Sequence, residues 1–215
     1  MKRLVLPRLY VILEAALLTV PETECAEKLA AAGVRLLQYR NKQASARELF
    51  ESSKRLSSLL IPRGVNFVVN DRADVAVAAG AAGVHVGQED LGAEAARSVI
   101  GDGKLLGVST HNLEQFKDAA ETSADYIAVG PVFSTSTKAN PDPVVGIELI
   151  HQVRSLTDKP IVAIGGITLE RAADVIRAGA DSVAVISDIL LAPDPAQQVR
   201  RYLDILEAAN HVAAV

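Results

Sequence analysis

The stretch "RAGADSVAVI", Arg177 to Ile186, closes one segment in small residues around a glycine and at once opens an apolar run rich in valine. Three other stretches make the same transition: "AAAGVRLLQ" (Ala30 to Gln38), "AAGAAGVHVG" (Ala78 to Gly87) and "ETSADYIAVG" (Glu121 to Gly130). A helix that ends on a left-handed residue or a tight αβ turn and hands over to a buried strand produces this pattern, with Gly33, Gly83 and Gly179 standing where one or the other is needed. Its recurrence points to a chain built from repeated βα units.

Outward from these four points the alternation continues without a break. Short apolar runs predict strands over Leu9 to Leu13, Val34 to Tyr39, Asn66 to Val69, Val84 to Val86, Leu105 to Val108, Tyr126 to Val129, Ile161 to Ile164 and Ser182 to Ile186. Segments of helical period, such as "ARELFESSKRLSSLL" and "LERAADVIRAG", lie between them, and "PAQQVRRYLDILEAA" follows the last strand. Eight such units in 215 residues predict an α/β fold, a single (β/α)8 TIM barrel occupying one domain over residues 1–215. An open, doubly wound sheet is the alternative. It is disfavoured because no G-x-G-x-x-G follows the first strand.

Composition narrows the function. The formal net charge is −4, so no global basic field exists to hold nucleic acid or an anionic membrane surface. Pro7, Arg8 and Glu14 cut the apolar N-terminus into pieces too short for a signal sequence or a membrane span. Cys25 is the only cysteine, which excludes an intrachain disulfide and suits a reducing cytoplasm. The apolar "EAALLTV" is read either as packing on a second copy in a homo-oligomer or as covering the bottom of the barrel.

In a barrel the functional groups gather where the strands end. In "RLLQYRNK", Arg35 to Lys42, strand alternation puts Leu36, Gln38, Arg40 and Lys42 on one face, so two cations run out into the mouth. Asn70, Asp71, Asp90 and Asn112 also stand at strand ends, where each could simply cap the following helix, Asn112 with Gln115 as a capping box. Asp71 and Asp90 follow neighbouring strands, however, and two loop carboxylates completed by water and phosphate oxygens are how Mg2+ is commonly held. Gly165 and Gly166, together with a short helix beginning near Ile186 and Ser187, suggest a second anion site. The hydroxyls and ammonium of "STSTK", Ser134 to Lys138, stand on the long loop after the sixth strand. His85 and His111 lack the partners that would make either a zinc ligand.

The ordered motifs "QYRNK", "VNDRADVAVAAGAAGVHVGQEDL", "GVSTHN", "GPVFSTSTK", "VAIGGI" and "VAVIS" resemble those of the thiamine-phosphate synthase family over almost the whole chain. The resemblance implies a transferase joining 4-amino-2-methylpyrimidine-5-methyl diphosphate to a thiazole phosphate, with Mg2+ as cofactor and these two small molecules as substrates. It implies contacts to the pyrimidine diphosphate from Gln38, Tyr39, Arg40, Asn41, Lys42 and Asn70, with Arg40, Lys42 and Lys138 on the diphosphate. Asp71 and Asp90 would hold the metal, and Ser109 would lie beside the reaction centre. Thr135, Ser136 and Thr137, with Gly166, Ile186 and Ser187, would hold the thiazole phosphate. The chain departs from the family pattern at Leu13, Glu14, Asn41 and Ser134. Two rivals share the barrel: a thiazole tautomerase, in which His111 would serve acid-base chemistry, and a non-catalytic barrel that binds phosphorylated metabolites.

Overall fold

Alternate residues along the strands face either the helices or the barrel interior, and this division decides which side chains reach the site. A computed structural model describes residues 4–135 and 142–209. The strands are β1 (Leu9–Glu14), β2 (Leu36–Arg40), β3 (Asn66–Asn70), β4 (Gly83–Val86), β5 (Leu105–Thr110), β6 (Tyr126–Val129), β7 (Ile161–Ile164) and β8 (Ser182–Val185). All pair in parallel in chain order, and β8 closes on β1 with Leu9 opposite Val183 and Val11 opposite Val185. The result is the expected eight-stranded (β/α)8 barrel.

The helices are α1 (Glu22–Ala31), α2 (Ala46–Leu60), α3 (Ala73–Ala78), α4 (Ala93–Ile100), α5 (Leu113–Ala120), α6 (Gly146–Arg154), α7 (Leu169–Arg177), α8 (Ser187–Leu190) and α9 (Pro195–Ala208). The larger core lies between strands and helices and includes Leu37, Phe67, Val84, Phe116, Ile150 and Tyr202. The smaller core fills the barrel and includes Tyr10, Ile12, Leu36, Val68, Tyr126 and Val162. Each fully buried large side chain stabilises the fold by roughly 1.5–3 kcal/mol.

The turn predicted from the repeats is present, with one correction. Gly33 (φ 115°) and Gly179 (φ 112°) take the left-handed conformation at the ends of α1 and α7. At the third site that role belongs to Gly80 (φ 70°), which donates to the Val77 carbonyl. Gly83 is instead the first residue of β4, pressed against β5, where an added Cβ would stand 2.3 Å from the Leu105 carbonyl oxygen. Val34 donates back to the Leu29 carbonyl and so belongs to the turn, which is why β2 starts at Leu36. At the other end of the chain, Ile186 leaves the strand conformation (φ −119°, ψ −89°) to precede α8.

The N-terminal ends of the strands are held by a clamp that occurs twice. Arg97 of α4 donates to Asp125 at 2.7 Å, and Asp125 accepts the first inner N–H of β5, from Leu106, at 2.7 Å. Arg154 of α6 likewise donates to Asp181 at 2.6 Å, and Asp181 accepts the Ile161 N–H at 2.8 Å. The bottom of the barrel is closed by Leu6, packed within the inner core. Ala15–Leu17 forms a 3-10 turn directly after β1, so the "EAALLTV" segment lies on the mouth side and does not cover the bottom. No helix among the described residues is long and apolar enough to cross a membrane.

Candidate active site at the barrel mouth

The C-terminal strand ends surround a cavity of about 810 Å³. Gln38, Arg40, Lys42, Asn70, Asp71, Asp90, Ser109, Thr135, Gly166, Ile186 and Ser187 all line it, drawn together from seven different strand ends and the loops beyond them. Ser136, Thr137 and Lys138 lie outside the described residues.

Two expected contacts are turned elsewhere. β2 sends Leu36, Gln38 and Arg40 inward, so Tyr39 between them points into the strand–helix core, where it is 3% exposed. Asn41 stands past the end of β2, and its Oδ1 accepts the N–H groups of Gln43 (3.2 Å) and Ala44 (3.1 Å), forming the turn into α2. Both line a neighbouring recess beside the turn after β1. Alternation and an Asx turn remove them from the main cavity.

The cations at and just beyond the end of β2 already meet carboxylates. Arg40 is register-paired with Glu14 of β1 and forms an ion pair with it, while Lys42 forms one with Asp71. Glu14, one of the departures from the family pattern, is only 5% exposed, and Arg40 offsets the cost of burying it.

Asp71 has φ 63°, and among the described residues no other non-glycine residue has a positive φ. Its N–H donates to the His85 carbonyl at 2.7 Å, which fixes the strained turn that aims the carboxylate inward. Neither carboxylate of the pair caps a helix: Arg72 precedes α3 and Gly92 precedes α4, both without a side-chain cap. Asp90 Oδ2 accepts the Gly87 N–H at 2.8 Å and folds its own loop. Burial, followed by a hydrogen bond with Asp90, pushes the Asp71 carboxyl above its ordinary pKa despite the opposing Lys42. Two crowded carboxylates of this kind suit a hard divalent cation such as magnesium.

Asn112 does cap its helix, accepting the Gln115 N–H at 2.9 Å, although the Gln115 side chain returns to the His111 N–H in place of the Asn112 N–H. His111 also lines the cavity, its Nδ1 lying 2.6 Å from the Gly130 carbonyl, so the neutral ring carries its proton on that nitrogen.

On the opposite wall, Gly165 (φ 98°) and Gly166 (φ 60°) let the β7 end pass beneath the loop after β6. A Cβ on Gly165 would stand 2.5 Å from Pro131 Cβ, and one on Gly166 would stand 2.3 Å from the Ser134 carbonyl oxygen. The pair therefore serves close packing as well as access to backbone donors. Arg171 of α7 adds a cation to this wall: its Nη1 donates to the Gly166 carbonyl at 3.1 Å and its guanidinium lies 4.6 Å from the Phe133 ring centre. Sequence reading missed Arg171 because its side chain reaches the mouth from a helix, away from the strand ends. It also missed Tyr10 and Tyr126, whose hydroxyls reach the inner face beneath the cavity, although alternation along β1 and β6 signals that direction.

Comparisons with known proteins bear on the family and the fold. Residues 9–189 match the thiamine monophosphate synthase family. The chain is 52% identical to the thiamine-phosphate synthase of Koribacter versatilis, over 94% of this chain and 97% of that one. It is 43% identical to that of Chloroflexus aurantiacus, over 93% and 94% of the two chains. A solved thiamine phosphate pyrophosphorylase from Pyrococcus furiosus superposes with a TM-score of 0.85 at 35% identity, covering 94% of this chain and 96% of that one. With its closed barrel and its polar groups gathered at one mouth, the chain belongs to the thiamine monophosphate synthase family of transferases.

Proposed function

We infer that the protein is a thiamine-phosphate synthase, joining 4-amino-2-methylpyrimidine-5-methyl diphosphate to hydroxyethylthiazole phosphate, with magnesium required, and releasing diphosphate. The charge of the mouth carries this reading. Among the described residues its cations are Arg40, Lys42 and Arg171, set against the carboxylates of Asp71, Glu89, Asp90, Asp142 and Asp188. A diphosphate and a second phosphate entering an excess of carboxylates need added positive charge, and the Asp71–Asp90 pair is where a divalent cation is best placed. No group of three or more His, Cys, Asp or Glu side chains gathers for a metal among the described residues, so water and ligand oxygens would complete the coordination.

Bound there, magnesium supplies counter-charge to the departing diphosphate. The chain's own part is to bind and orient. Arg40 and Lys42, held at the rim by Glu14 and Asp71, face the diphosphate, and Lys138 is proposed to join them. Backbone donors around Gly166, Ile186 and Ser187, with Thr135 beside them and Ser136 and Thr137 proposed to follow, take the thiazole phosphate. The bond between the pyrimidine methylene and the diphosphate oxygen breaks with its electron pair on oxygen, and the thiazole nitrogen lone pair forms the new carbon–nitrogen bond. Neither event needs a nucleophilic side chain, and the only cysteine, Cys25, is buried on α1.

Asp71→Asn and Asp90→Asn each remove a charge while keeping the shape. Both are expected to lower turnover by about a hundredfold or more and to raise the magnesium needed for half-maximal rate. Full turnover in both variants at the original magnesium requirement would contradict the assignment.

A further inference from the structure

Beneath the cavity five side chains from different strands touch in series. Gln38 Nε2 donates to the Tyr10 hydroxyl at 2.7 Å, and the Tyr10 and Tyr126 hydroxyls are 3.0 Å apart. The Tyr126 hydroxyl lies 3.1 Å from His85 Nδ1, and His85 Nε2 lies 2.8 Å from Ser109 Oγ. Gly107 makes the room: a Cβ there would stand 2.1 Å from Tyr126 Cζ and 2.4 Å from His85 Nδ1.

We propose that this series is a one-way hydrogen-bond chain that forces its two ends to face the pyrimidine with opposite polarity, an acceptor carbonyl at Gln38 and a donor hydroxyl at Ser109. The inference rests on the thiamine-phosphate synthase reading and adds a specificity device to it. Each hydroxyl and the neutral imidazole owns one proton to give. Full burial raises the pKa values of both tyrosines and keeps their hydroxyls protonated. Because the Gln38 amide nitrogen can only donate, Tyr10 must give its proton to Tyr126, Tyr126 must give its proton to His85 Nδ1, and His85 must carry its own proton on Nε2, toward Ser109. The Ser109 proton and the Gln38 carbonyl oxygen are then left for the ligand. A 4-aminopyrimidine offers an amino donor and ring-nitrogen acceptors to match them. A 4-oxo analogue offers a carbonyl acceptor where the amino donor stood, and turning Gln38 to suit it would require every bond in the chain to reverse together. Tyr10, Tyr126 and His85 are accordingly positioning residues.

Two measurements test the proposal. Long-range proton–nitrogen NMR of the free protein should show neutral His85 with its proton on Nε2; a proton on Nδ1 would overturn the direction of the chain. Calorimetry without thiazole phosphate should then compare the 4-amino diphosphate with its 4-oxo counterpart. Tyr126→Phe uncouples the ends, so the preference for the amino compound should fall about tenfold. An unchanged preference would overturn the coupling. Tyr10→Phe breaks the chain one link earlier and replaces the first variant if that one does not fold. Failure of the wild type to bind either pyrimidine would count against the proposed reaction, whereas the His85 tautomer would still decide the direction of the chain.

Discussion

His85 faces inward from the middle of the barrel, and its burial ties stability to pH. An unfolded chain protonates it at its ordinary value of 6.5, and the folded chain only at about 4. Between those values the unfolded state binds more protons, so stability falls as pH falls; the loss is absent above 6.5 and complete below about 4. The shift corresponds to about 3 kcal/mol. Urea denaturation at a series of pH values should show the wild type losing roughly that much between pH 7 and pH 4 beyond what His85→Gln loses. Parallel curves for the two proteins would contradict the assignment. The sequence marked His85 as a residue on an apolar strand without metal partners. It could not show that Tyr126 and Ser109 meet the two ring nitrogens, because those contacts depend on the pairing of β4 with β5 and on the space left at Gly107.

Among the elements, the four short repeats carried most of the fold. "ETSADYIAVG" and "RAGADSVAVI" look alike because Asp125 and Asp181 do the same work, each accepting a strand N–H and an arginine from the helix before it. Neither duty was visible in the sequence, since the partners lie on a neighbouring strand and on the helix that precedes it. Asp125→Ala and Asp181→Ala each leave a strand N–H without its acceptor and a partly buried guanidinium with backbone carbonyls but no carboxylate, which should cost about 1–3 kcal/mol in urea denaturation. Both residues are at the end of the barrel away from the mouth, so turnover of the folded variants should match the wild type. An unchanged midpoint, or a stable variant with impaired turnover, would contradict this division of labour. The capping box at α2 was not read from the sequence either: Ser45 and Glu48 exchange their bonds at 3.3 and 2.8 Å.

Taken as a whole, the barrel was legible because eight apolar runs alternate with helical segments, and most mouth residues were legible because they follow those runs. Two misplaced contacts lie at the end of β2, and the alternation of side chains accounts for the first. It turned Tyr39 into the outer core, whereas the end of β2 released Asn41 into a turn. The same alternation joined Glu14 to Arg40, a pairing that only the β1–β2 register reveals. The excess of carboxylates among the described lining residues is the feature of the mouth on which the proposed magnesium requirement rests.

The most direct test is diphosphate release by the purified protein, supplied with pyrimidine diphosphate, thiazole phosphate and magnesium, each omitted in turn. Release that needs all three, with thiamine phosphate as the organic product, is the predicted result. Release without magnesium, or saturable binding of thiazole phosphate with no release under any condition, would contradict the account.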